Sequence, residues 1–506
     1  MRKIGKIIVV ACSVLLGLPL VLLLGIGMVL YFKADFLQPE VKVDLNRYKC
    51  TVYTDSLRVC DDSSLLLNQH GLWESHILGN SIDRGAKYGL LSKDLLQYQE
   101  DVFVQQIHEF IPSEWWVEFL HKLIVVFNRS MASHIPEAYR EEIYAMSLSC
   151  SDQYNAYGPS YARQLNYHAA HDIGHAMQEY MLVGCSSFAC WGKESETDDL
   201  LIGRNFDFYV GDNFARNKVI LFIEPTEGHR FVSVSWPGMM GVLSGMNEKG
   251  LTVTINAAKG DIPVSSAMPI SLLARHILQH AANIKEAYAI AQEFETFVSE
   301  SLLIGSSSDG YAAIIEKTPQ KIALYQSPDS RIVCTNHYQS DEFEEDEYNK
   351  ENIETSDSPY RHRRMNELLD ELSPIDTDDA ARILRDRKGI GHTDIGLSNE
   401  KSINQFIAHH SVIFQPQELR MWVSTSPWQL GRYVCYDLDD VFGRSLPTTG
   451  SYVLEDKSIE ADSLSLKNDY IPVCRYREQY KVFTAAIRDK QEVDEKFRDE
   501  FVSNNP

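Results

Sequence analysis

The chain has 506 residues, 44% of them hydrophobic, and sets 71 acidic against 48 basic side chains for a formal net charge of −23. That length and apolar content suffice to bury a large core in two or three structural units, which excludes a disordered or fibrous chain. The acidic excess argues against nucleic acid as a partner, because phosphate binding needs clustered Lys and Arg; it reads as a solubility device.

The N-terminus departs from this balance. Arg2, Lys3 and Lys6 precede an uncharged apolar run from Ile7 to Phe32. At about 1.5 Å per helical residue the run is long enough to cross a hydrocarbon core of roughly 30 Å, even with Pro19 inside it. No convincing small-x-small site follows, so residues 7–32 read as a retained signal anchor and 1–6 as a cytoplasmic tail. Everything after Lys33 is then expected outside the cytoplasm. A cleaved signal sequence would give the same compartment. Nine cysteines are too few for a disulfide scaffold in a chain this long, and Cys50 and Cys60, close in sequence, are the pair expected to bridge.

Residues 33–184 read as a helical propiece, with stretches such as "SEWWVEFLHKLIVVFNR" showing apolar residues at three- and four-residue spacing. After Cys185 the texture changes. "LLIGRNFDFYVG", "KVILFIEP", "FVSVSW", "GVLSGM" and "LTVTINAA" are short β-rich runs separated by Gly, Pro, Asn and Asp, as in an antiparallel sheet. "PISLLARHILQHAAN" and "IKEAYAIAQEF" read as helices, followed by strands in "SESLLIGSS", "YAAIIEK", "KIALYQ" and "RIVCTNH". An acidic stretch between Asn336 and Arg361 reads as a solvated loop, and its acids lack the spacing of a calcium-binding loop. Further strands lie in "SVIFQPQELRMWVST" and "GRYVCYDL", and the tail reads as a charged helix. This order predicts an α+β domain at 185–455 with a C-terminal extension at 456–506.

"VGCSSFACWG" places Gly184 and Cys185 at the change of texture. Alone, such a pair is most often structural, since free Cys is among the most buried residue types. Downstream come "GRNFDF", "GMNEKGLTVTINAA", "CTNHYQS" and "SPYRHRRMNELL", in that order. Together these motifs resemble the cysteine-type N-terminal-nucleophile hydrolases. The closest likeness is to the proenzyme group of penicillin acyl-coenzyme A:6-aminopenicillanic acid acyltransferase; choloylglycine hydrolase, penicillin V acylase and acid ceramidase are more distant. The resemblance spans roughly Val183 to Leu438.

The resemblance implies a four-layer αββα sandwich of antiparallel sheets. It also implies that Cys185 becomes the nucleophile when the bond after Gly184 cleaves itself. A thiol near pKa 8.5 and an α-amine near 7.7–8 are closely matched, so the freed amine can take the thiol proton at little cost. Before cleavage that amine is an amide, and the precursor should be inactive toward substrate. Gly184, without a Cβ, would permit a strained backbone at the attacked bond. Residue by residue, Asp207 matches the aspartate that orients the new amine, and Arg204 an arginine beside the nucleophile. On a regular strand positions 204 and 207 face opposite sides, so a bulge or turn is expected between them if both reach Cys185. Asn336 matches an oxyanion-hole asparagine, Asn256 a second position near that hole, and Arg361 an arginine bracing the site, with Arg364 its competitor one helical turn on.

The activity implied is that of a cysteine amidase acting on a linear C–N amide of an N-acyl small molecule through an acyl-thioester, with acyl transfer as the alternative use of the same intermediate. No cofactor is implied, and the two self-cleaved chains are expected to stay together as a heterodimer, tethered to the membrane by the anchor. Two readings of another class compete. In "NYHAAHDIGHAMQEY", His171 and His175 share a helical face, with His168 a turn earlier and Glu179 as a third candidate ligand for zinc. A binding module with a dead nucleophile would share the fold without the activity. His409 and His410 read as pocket-lining or plain strand residues, and Trp236, Met239 and Met240 as apolar wall or core.

Overall fold

The computed structural model describes residues 25, 27–31, 33–169, 172, 182–261, 263, 265–488 and 492–503. Among them, nineteen strands form two sheets. The larger sheet runs, in spatial order, β1 (Cys50–Thr54), β2 (Leu57–Cys60), β3 (Ser63–Leu67), β4 (Trp73–Gly79), β8 (Val219–Pro225), β9 (Phe231–Ser235), β10 (Ser244–Asn247), β11 (Leu251–Ala257), β12 (Glu300–Ser306), β13 (Tyr311–Lys317) and β14 (Ile322–Tyr325). The smaller runs β15 (Arg331–Cys334), β6 (Ser186–Gly192), β7 (Asp198–Tyr209), β16 (Ala408–Gln415), β17 (Arg420–Ser424), β18 (Tyr433–Asp437) and β19 (Leu454–Ile459), and the short β5 (Leu182–Val183) also pairs with β7. Strand pairing is antiparallel except between β4 and β8, which run parallel.

The central strands are apolar on both faces, and their alternation sorts side chains between two cores. In β8, Val219, Leu221 and Ile223 join one core while Ile220 and Phe222 join another; β13 repeats this with Ala313 and Ile315 against Ala312 and Ile314. The first core lies under helices Ser81–Leu91, Glu137–Ser147, Ser160–His168 and Ile270–His280, which supply Ala86, Ile143, Leu165 and Ile277. The second lies between the sheets, where Ile220 and Phe222 meet Ile202, Val412 and Val423. A third packs Met365, Leu369 and Leu384, from helices Ser358–Leu372 and Thr377–Leu384, on Leu201 and Ile413. The chain is thus mixed α+β, with two antiparallel-rich sheets face to face and helices outside each.

Three expectations change. The segment 33–184 is not helical throughout: β1 to β4 extend the larger sheet, and the parallel pairing of β4 with β8 joins them to strands beyond Cys185. Glu142 of this segment also sits fully buried between Arg84 and Arg275, each with a guanidinium nitrogen 2.6 Å from its Oε2. Helical period alone could not reveal the strands, because β1 is exposed along its length and lacks alternation. The acidic stretch is ordered as a 3₁₀ turn and the helix Glu347–Thr355, because Phe343 is buried and Asn349 bonds the backbone of Tyr338 on both sides. The expected anchor at 7–32 falls almost wholly outside the described residues, and among those described no helix is long and apolar enough to cross a membrane. The expectation of a membrane-anchored chain with an extracytoplasmic catalytic domain is withdrawn on that finding. Cys50 and Cys60 are disulfide-bonded across the β1–β2 hairpin. β19 crosses the expected boundary at 455 as an edge strand of the smaller sheet.

Candidate active site

Cys185 lies in the two-residue gap between β5 and β6, both of which pair with β7. Val183 pairs with Phe208, the Gly184 amide donates to the Asp207 carbonyl at 3.1 Å, and Ser186 pairs with Asn205. The register is the same on both sides of the Gly184–Cys185 bond, so Cys185 stands opposite Phe206 on β7. Gly184 has no left-handed φ; a Cβ there would meet the Gln405 amide nitrogen at 2.8 Å. A side chain at 184 would therefore have to displace the end of the Gln405 side chain, while the backbone there needs no left-handed φ.

Alternation along β7 sends Ile202, Arg204 and Phe206 toward the larger sheet and Leu201, Asn205 and Asp207 toward the outer helices. Both faces therefore serve Cys185, and no bulge in β7 is needed. The bulge lies instead in its partner: Ala408 pairs with Asp207 and His410 with Phe206, leaving His409 as the extra residue of β16.

On the inner face, Arg204 Nη2 lies 3.6 Å from Cys185 Sγ and also donates to the Ile255 carbonyl. Its Nη1 donates to Ser244 Oγ at 2.6 Å. Arg204 and Cys185 are both fully buried. Burial pushes the thiol up to about 11; Arg204 pulls it back, while Asp207 and Glu300 add to the rise. Glu300, which the sequence reading did not single out, is itself held well above the carboxylate range by burial and by Asp172. Its signal was a charged residue opening an otherwise apolar strand.

On the outer face, Asp207 is fully buried and, among the described residues, neither carboxylate oxygen has a hydrogen-bond partner. Burial lifts it to about 7, against the pull of Arg361 and Arg204. Arg361, from the helix Ser358–Leu372, donates from Nη1 to the Cys185 carbonyl at 2.7 Å and to Ser186 Oγ at 2.8 Å, and from Nη2 to Asn336 Oδ1 at 2.7 Å. Arg364 is directed elsewhere, with Nε and Nη2 on Asp386 at 2.9 and 3.0 Å. Of the two arginines, Arg361 is the one at Cys185.

The asparagines are tied to the backbone around the site. Asn336 donates from Nδ2 to the Ala257 carbonyl at 2.8 Å. Asn256 accepts from Ser187 Oγ at 3.0 Å and donates to the Cys334 carbonyl at 3.0 Å. In this arrangement both amide groups stitch β11 to β6 and β15.

His171, His175 and Glu179 lie outside the described residues. His168 donates from Nδ1 to the Gln164 carbonyl at 2.7 Å and accepts at Nε2 from the Met240 amide at 3.0 Å, so both of its ring nitrogens are engaged. Among the described residues no group of three or more His, Cys, Asp or Glu is placed to hold a metal ion. Trp236 and Met239 line a narrow crevice with Phe208 and Phe214 on one side and Leu96 and Phe103, from the segment before Cys185, on the other. Met240 is core.

Residues 193–426 match the family model of acyl-coenzyme A:6-aminopenicillanic acid acyl-transferase. An uncharacterized protein of Archaeoglobus fulgidus is 23% identical over 407 residues, covering 71% of this chain and 65% of that relative, so the chain spans about two-thirds of the relative's length. Among solved structures, an N-acylethanolamine-hydrolyzing acid amidase ortholog of Caenorhabditis elegans aligns at 14% identity over 46% of this chain and 93% of its own, with a TM-score of 0.35. Penicillin V acylase from Agrobacterium tumefaciens aligns at 15% identity over 50% and 86%, also at 0.35. A conjugated bile acid hydrolase variant from Clostridium perfringens aligns at 14% identity over 50% and 93%, at 0.33. Arg204, Asp207, Asn256, Asn336 and Arg361 fall inside the matched segment, whereas Gly184 and Cys185 precede it. Over residues 193–426 the chain is thus similar to the acyl-coenzyme A:6-aminopenicillanic acid acyl-transferase family, the group its order of motifs resembles.

Proposed function

We propose that the chain is a self-processing cysteine amidase that hydrolyses a linear amide of an N-acyl small molecule. The Cys185 sulfur attacks the Gly184 carbonyl, the C–N bond breaks, and a thioester joins Gly184 to Cys185. Water cleaves that thioester, leaving a Gly184 carboxylate and a Cys185 that bears both thiol and free α-amine. In turnover the amine takes the thiol proton, the sulfur takes the acyl group from substrate as the amine product leaves, and water releases the acid. Residues 33–184 are the propiece and 185–455 the catalytic domain.

The observation that carries this reading is the Asp207 carboxylate, buried beside the Gly184–Cys185 bond without a donor. An uncompensated buried carboxylate costs several kcal/mol, and an ammonium group created at Cys185 is the partner that would offset it. Arg361 on the Cys185 carbonyl and Arg204 at the sulfur hold the same residue from two further sides. The shared sheet and the Arg84–Glu142–Arg275 cluster support retention of the propiece as one half of a heterodimer.

Purified protein is expected as two chains split between Gly184 and Cys185, and Cys185→Ala as one; an intact wild-type chain overturns the reading. A panel of N-acyl amides, read by released amine in wild type and Cys185→Ala, identifies the substrate. Acyl transfer is the second reading, favoured by the description of the matched family. Turnover of an acyl-coenzyme A by the purified protein would establish it.

A further inference from the structure

We propose that Ser244 and His410 are positioning residues that lock the Arg204 guanidinium against the Cys185 sulfur, an inference that rests on the reading of Cys185 as the nucleophile. Arginine has donors only. Arg204 Nη1 donates to Ser244 Oγ at 2.6 Å and lies 3.3 Å from His410 Nε2, so that ring nitrogen is an acceptor. Ser244, having accepted from Arg204, turns its own hydrogen to the same Nε2 at 2.8 Å. His410 therefore carries its proton on Nδ1.

That proton has one destination. Nδ1 of His410 is 2.9 Å from Nδ1 of His409, and a contact that short between ring nitrogens needs one donor and one acceptor. His410 donates and His409 accepts, which leaves the His409 hydrogen on Nε2, buried without a hydrogen-bond partner and beside the Trp236 ring at 5.4 Å. Arg204, a fixed donor, thus dictates the tautomers of two histidines. Burial first, and then the charged groups facing the pair, Arg204 from β7 and buried Lys218 ahead of β8, hold both imidazoles neutral.

The bulge in β16 serves this arrangement. Inserting His409 brings His410 opposite Phe206, on the side of the sheet that Arg204 occupies. With Nη1 fixed by Ser244 and His410, the planar guanidinium has one orientation left for Nη2, between the Ile255 carbonyl and the sulfur. Asp207 and Glu300 also act on that sulfur and oppose its ionisation, while Arg361, from the outer face, favours it. Arg204 is the favouring charge that touches the sulfur itself, so its orientation bears directly on how readily Cys185 ionises.

The test follows scission of the Gly184–Cys185 bond by gel in the full chain made by cell-free synthesis, as a function of pH. Ser244→Ala and His410→Leu are expected to slow scission about tenfold at neutral pH and to raise the midpoint of the pH profile by about one unit. His410→Gln, whose amide oxygen can accept from Arg204 and Ser244, should stay within about twofold of wild type. Should His410→Leu not fold, Ser244→Ala decides alone. The inference is overturned if Ser244→Ala keeps the wild-type rate and midpoint, or if His410→Gln is as slow as a folded His410→Leu. A wild-type chain that never cleaves sinks the nucleophile reading and this inference with it; normal wild-type scission with an unaltered Ser244→Ala sinks only the inference.

Discussion

The Gly184 amide donates to the Asp207 carbonyl at 3.1 Å, while the carboxylate of that aspartate has no donor among the described residues. The backbone of Asp207 thus holds Gly184 beside the bond proposed to be cut, and its carboxylate has no partner among the described residues while that bond is intact. In a Cys185→Ala chain, which stays intact, Asp207→Asn should therefore raise stability at neutral pH. The sign follows from a folded value near 7, above the ordinary carboxylate value. The folded chain then binds the proton more tightly, so the penalty is absent below about pH 4, grows as pH rises toward 7, and is complete above it. Thermal melts should show a gain of a few degrees at pH 8 and none at pH 4; in the Cys185 background the same substitution should abolish amide turnover.

Arg361 and Arg364 stand one helical turn apart and separate cleanly. Arg361→Ala removes the donor to the Cys185 carbonyl and to Asn336, and should slow both scission and turnover by two orders of magnitude or more, on the scale of losing one preorganised donor, about 10²–10³. Arg364→Ala should leave scission intact and lower the melting temperature, because it strips the partner from Asp386. A gel and a melt on each variant check both.

At Gly184 the obstacle is Gln405. Gly184→Ala would drive a methyl group within 2.8 Å of the Gln405 side-chain nitrogen and should slow scission. Trimming the neighbour as well, in Gly184→Ala with Gln405→Ala, should restore much of the rate; if backbone strain were the requirement, the second substitution would restore nothing.

Glu142 joins the segment before Cys185 to the segment after it, through Arg84 and Arg275. Glu142→Ala leaves Arg84 and Arg275 buried and unpaired, a loss of about 3–5 kcal/mol on the usual scale for a broken buried pair. Separation of the two chains in denaturant should occur at clearly lower concentration than in wild type, as read by size-exclusion chromatography.

Much of the site was legible in the sequence because its signals are local. The strand texture after Cys185 and the order of "RNFD", "TINAA", "TNH" and Arg361 place these residues around the Gly184–Cys185 pair, with Arg204 near the sulfur, Arg361 on the Cys185 carbonyl and on Asn336, and Arg364 turned away to Asp386. What local pattern could not supply was the partner across space. Ser244 and His410 meet Arg204 from 40 and 206 residues away, and Gln405 meets Gly184 across a comparable gap.

The sequence by itself determined most of the strands after Cys185, which residue types gather near Cys185, and that positions 204 and 207 point to opposite sides of β7. Only the tertiary structure decided that both sides matter: one face of that strand meets the larger sheet, where Arg204 finds the sulfur, and the other meets the outer helices, where Arg361 finds the Cys185 carbonyl. It also decided that the segment before Cys185 lends four strands to the larger sheet. The physical reason is the same in both cases. Strand period fixes the direction of a side chain, but the layer it enters is set by pairings and packing between segments far apart in the chain, and those are settled only when the whole core closes.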